Sequence, residues 1–70
     1  MDGFVIQSQH AEASAESGSR NITWLAIAES EADALELVPG SNRTIIERGM
    51  HVLEEARARG VPTGGAMILE

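Results

Sequence analysis

The chain contains no cysteine, and every one of its five basic residues is an arginine. Without thiols, disulfides and thiolate metal sites are both excluded. Aromatic side chains are nearly absent too: Phe4 and Trp24 are the only ones. The apolar runs are only a few residues long, far short of a membrane span. No cationic segment followed by an apolar stretch and a small-residue cleavage site opens the sequence, so the cytoplasm is the expected compartment. Positive charge is also scarce, with eleven acidic residues and a formal net charge of −6. Nucleic-acid backbones and anionic membrane surfaces draw proteins mainly through clustered positive charge, so neither is an expected partner.

What remains is 70 residues, enough for one domain spanning residues 1–70. A domain of this size has a thin core and ordinarily relies on disulfides, a metal or a partner chain. With thiols excluded and no ligand cluster in sight, association is the support most compatible with the composition.

Phe4 to Gln9 reads as a short strand, and Asn21 to Ala28 as a stronger one. In the second, Ile22, Trp24, Ala26 and Ala28 share one face, and Thr23, Leu25 and Ile27 the other. Both faces are largely apolar, as in a central strand covered on each side, or covered on one side by a second subunit. Between the two strands, His10 to Arg20 carries small and polar residues with nothing large to bury. It is expected to be a mobile loop.

Ser30-Glu31-Ala32-Asp33 has the composition of a helix start: a serine cap followed by acidic residues that complement the helix dipole. The helix is expected over about 30–38, ended by Pro39-Gly40. Thr44 and Glu47, three apart, match a capping box. They predict a longer helix over 44–59, burying Ile46, Gly49, Met50, Leu53 and Ala56. Glu55 and Arg59 are placed to pair, and Gly60 with Pro62 closes the helix. Residues 66–69 are expected to form a last short strand. The predicted fold is therefore α+β: a small two-layer domain in the order β-β-α-α-β, its three-stranded sheet covered by two helices on one face.

No motif dictates a reaction. His51 follows Glu47 by four residues, half of a helical carboxylate–histidine metal site at best. There is no HExxH, and none of the serines lies in a nucleophile elbow. The glycine-rich stretch 60–65 lacks the lysine and following helix of a phosphate loop. No cofactor, no metal site and no catalytic residue is expected. The sequence points instead to an interaction or regulatory module that works as a homodimer or as a subunit of a larger assembly. Trp24, Leu25 and Ile27 are its candidate contact residues, since two helices on one face leave the other apolar face to be covered. The alternative is a small-ligand domain with a pocket between the sheet and the long helix, at Glu47 and His51. A small enzyme using that pair is a lesser alternative.

Overall fold

A computed structural model of the protein describes residues 1–11 and 19–69. Among these the order is β1 (Asp2–Ala11), β2 (Ser19–Ala28), α1 (Glu31–Glu36), β3 (Ser41–Gly49), α2 (Met50–Ala58) and β4 (Ala66–Ile68). The strands form one sheet in the order β3-β1-β2-β4, with every neighbouring pair antiparallel. The α+β class and the two helices match expectation. The sheet, however, has four strands, and the order of elements is β-β-α-β-α-β.

The fourth strand comes from the first half of the expected long helix. Residues 44–49 belong to β3, so Thr44 and Glu47 do not cap a helix. Thr44, Ile45 and Ile46 are consecutive β-branched residues, whose stiff side chains suit a pleated strand better than a helix. The fold also demands a partner on this side. Phe4 and Ile6 of β1 are completely buried, and a buried strand needs its backbone paired along both edges. β3 turns into α2 at Gly49, whose φ of 134° is open to glycine and strained for other residues. The expected buried face shifts accordingly. Leu53 and Ala56 are buried as read, joined by Val52, whereas Ile46 and Met50 are exposed.

The helices lie against opposite faces of the sheet, which corrects the two-layer arrangement. On one face Phe4, Ile6, Ala26 and Ala28 pack with Ala34 and Val38 at and beyond α1. On the other, Leu25 and Ile27 pack with Val52, Leu53 and Ala56 of α2 and with Val61. The alternation read along β2 thus holds, and each apolar face has its own helix. A second subunit is not needed to cover Leu25 and Ile27, which are 2% and 0% exposed. Leu53→Ala should lose about 2–5 kcal/mol in a urea melt, because the cavity it leaves is enclosed by this second cluster. A loss under about 1 kcal/mol would show that α2 does not seal the face.

The helix termini follow local chemistry. Ser30 Oγ accepts a hydrogen bond from the Asp33 amide at 3.2 Å, as expected of the cap. Arg43 reaches across from β3 and donates to the carbonyls of Leu35 at 2.8 Å and Val38 at 3.1 Å, supplying the positive charge that the last turn of α1 lacks. α2 closes with Gly60 at φ 90° and two backbone bonds, Val61 N–H to the Ala56 carbonyl at 3.0 Å and Gly60 N–H to that of Arg57 at 3.1 Å. This is the double closure of a Schellman cap. Arg59 donates to Glu55 at 3.0 Å, also as read.

The connection between β1 and β2 is shorter than the loop expected over residues 10–20. The strands remain paired as far as Ala11 opposite Ser19. The expected mobility of residues 12–18 lies outside the described residues.

Candidate functional site

The five residues singled out in the sequence do not form one site. Leu25, Glu47 and His51 line a groove of about 260 Å³ between the sheet and α2, together with Val5, Val52, Glu55 and Leu69. His51 Nε2 lies 2.8 Å from Glu47 Oε2. The pair meets, but not as neighbours on one helix face: Glu47 stands on β3 and only His51 on α2. Ile27 is sealed beneath α2 and reaches no surface. Trp24 points to the other face of the sheet.

The groove has an apolar floor and a polar rim, but its polar groups are mostly engaged. Glu47 and His51 bind each other while their side chains are 58% and 67% exposed, so solvent screens the pair. Glu55 is held by Arg59. Among the described residues no group of three histidine, aspartate or glutamate side chains is placed to hold a metal ion. A second, more open recess of about 520 Å³ is bordered by Glu29, Asp33 and Glu36. It gathers like charges without a histidine or arginine on its wall.

The α1 face holds a hydrogen-bonded chain that the sequence did not reveal. Trp24 Nε1–H donates to Ser8 Oγ at 2.9 Å, and Ser8 Oγ lies 2.8 Å from His10 Nε2. The two rings are 6.4 Å apart, and the turn at Gly40 sits so close to the imidazole that a Cβ there would come within 2.8 Å of Nε2. A serine beside a histidine invites comparison with a nucleophile and its base. Ser8 is 0% exposed, however, and its oxygen already accepts from the indole. The group is a partly buried polar chain, centred on the buried Ser8, that ties Trp24 to β1. The alternation of strand residues puts Ser8 and His10 on one face, but only the pairing register brings Trp24 to them.

Trp24 also leads to exposed apolar surface at one edge of the sheet. The register places Ile45, Ile6, Trp24 and Ile68 in one row across all four strands. Ile6 is fully buried and Trp24 partly, while Ile68, on the edge strand, is 53% exposed. The row therefore runs from core to surface and ends at β4. From Val61 to Leu69 no residue carries a charge.

The remaining edge, β3, is different. Its pairing with β1 shifts register twice, between Val5 and Ile6 and between Gln7 and Gln9. Asn42, at φ 50°, lies at the second irregularity. Arg48 is bound to Asp2 at 3.2 Å and to Glu31, with its guanidinium 5.1 Å from the Phe4 ring centroid.

Among the described residues no helix is long and apolar enough to cross a membrane. No family model, no curated protein and no solved structure matches this chain.

Proposed function

We propose that this chain is a small interaction module that acts as a homodimer or as a subunit of a larger assembly, docking through the edge of its sheet at β4. The observation that carries this reading is the exposure of Ile68 on an uncharged edge strand, directly across from Trp24. An apolar residue half in water, beside an aromatic and within an uncharged stretch of chain, suits a contact surface. Extended edges also recruit partners through their unpaired backbone groups. The acidic balance of the chain disfavours nucleic acid, and the proposed partner is a protein.

The small-ligand alternative has the groove at Glu47 and His51 in its favour. That groove is open, and its polar groups are bound to one another or to Arg59. The same features weigh against catalysis there.

Sedimentation tests the reading. At micromolar concentration the protein should sediment as a dimer or larger species. Ile68→Lys should shift it to monomer with little change in melting temperature, since the side chain is half exposed. A wild-type chain that stays monomeric at high micromolar concentration, alone and with proteins that copurify from native cells, would remove the proposal.

A further inference from the structure

We infer that the occupant of the β4 edge is a second copy of this chain, with β4 pairing antiparallel to the partner's β4 about a two-fold axis at Met67. This rests on the reading of β4 as a docking edge and adds the identity of the partner and the register.

The first support is the contrast between the two edges of the sheet. Proteins blunt edges that should stay unpaired with bulges, charges and irregular backbone. β3 has all three: two register shifts, the positive φ of Asn42, and the charged side chains Arg43, Glu47 and Arg48. β4 is short, at three residues, which itself limits pairing, but it has none of these three. It pairs with β2 in unbroken register, and the Leu69 amide carries the pairing on to the Thr23 carbonyl at 2.8 Å.

The second support is charge. Each chain bears a formal net charge of −6, so two copies repel through most of their surface. The uncharged stretch from Val61 to Leu69 lets two copies meet without opposing formal charges. A basic foreign partner would be drawn elsewhere, to acidic surface such as that of Glu29, Asp33 and Glu36.

The third support is shape. Pairing about Met67 sets Ile68 opposite the partner's Ala66, and Ala66 opposite the partner's Ile68. A bulky residue meets a small one at each of two symmetric positions. The row Ile45, Ile6, Trp24 and Ile68 then continues into the partner's Ala66, and the two sheets join as one. A strand of three residues makes a contact smaller than standard interfaces, so the dimer should be concentration-dependent over the micromolar range, dissociating on dilution.

The chain has no cysteine, so a single introduced thiol reports on this contact alone. Met67→Cys should form a disulfide dimer under mild oxidation at least about tenfold faster than Ile68→Cys, because residues paired directly across an antiparallel contact lie about 4.5–5.5 Å apart. Mixing Ala66→Cys with Ile68→Cys should give the mixed dimer in preference to either homodimer. In the unmodified chain, amide exchange at Ala66 and Ile68, whose N–H groups point away from β2, should slow as concentration rises, which tests the contact should a cysteine variant fail to fold. A dimer by sedimentation that cross-links fastest through Ile46→Cys on β3, or that leaves β4 exchange unchanged, would overturn this register and partner geometry while sparing the docking-module reading. A monomer that binds a different protein through Ile68 would overturn the second copy alone. A chain that is monomeric and partnerless would end both.

Discussion

Gly3→Ala should cost about 3 kcal/mol or more, the upper end of what overpacking does, and Gly3→Val should leave the chain unfolded. No side chain is being removed. β1 and α2 approach so closely at Gly3 that an added Cβ would lie within 2.6 Å of the Leu53 Cα and closer still to backbone atoms of Val52 and Leu53. Backbone cannot swing aside as the end of a long side chain can. α2 must lift off the sheet, and lifting it opens the cluster of Leu25, Ile27, Val52 and Leu53. Gly3 is paired with Gly49, the residue that starts α2, so the helix entry would move as well. Urea melts followed by far-ultraviolet circular dichroism measure the effect. A change within about 0.5 kcal/mol, the range of neutral surface substitutions, would mean that α2 does not rest on β1 at this point.

Phe4→Ala should be nearly as damaging, at about 3–5 kcal/mol. A single core of 70 residues seldom provides more net stability than that, so the variant should be substantially unfolded at room temperature. Phe4 is 0% exposed and anchors the α1 face with Ile6, Ala26 and Val38. It also carries Arg48 over its ring, and Arg48 links the edge strand to Asp2 and to Glu31 at the start of α1. Removing the ring takes away a core side chain and the platform of that arginine together. Phe4→Leu keeps much of the volume and should recover more than half of the loss. Equal melts for the alanine and leucine variants would show that ring volume is not what the site requires.

The parts of the fold legible in the sequence are those governed by local chemistry. Ser30 caps α1, Gly60 closes α2, Glu55 meets Arg59, and β2 alternates between two apolar faces. Each depends on residues a few positions apart. β3 is not legible, because Thr44 and Glu47 satisfy a helix-start pattern, while the competing signal, a run of β-branched residues, gains its force only from the open edge of β1 beside it. The split of the helices between two faces depends on the same strand. A helix running from 44 to 59 could not both pair with β1 and cross the opposite face. At the candidate site Glu47 and His51 do meet, but across the turn from β3 into α2 rather than along one helix, and neither that turn nor the placement of Leu25 beside the pair is legible in the spacing. Ile27 is apolar and faces away from Trp24, which marks it as a contact residue in the sequence, yet those same properties bury it under α2. Gly3 carries no sequence signal at all, since its role exists only where two distant backbones meet.

The sheet divides the interior into two clusters, and the protein's single indole belongs to only one of them. Trp24 is tied to Ser8 on the α1 side and stands beside Ile68 at the β4 edge. Its emission is therefore a local gauge of that layer and of anything that docks on the edge. The α2 layer has no chromophore of its own, and a loosening confined to that helix would pass unseen in a fluorescence trace.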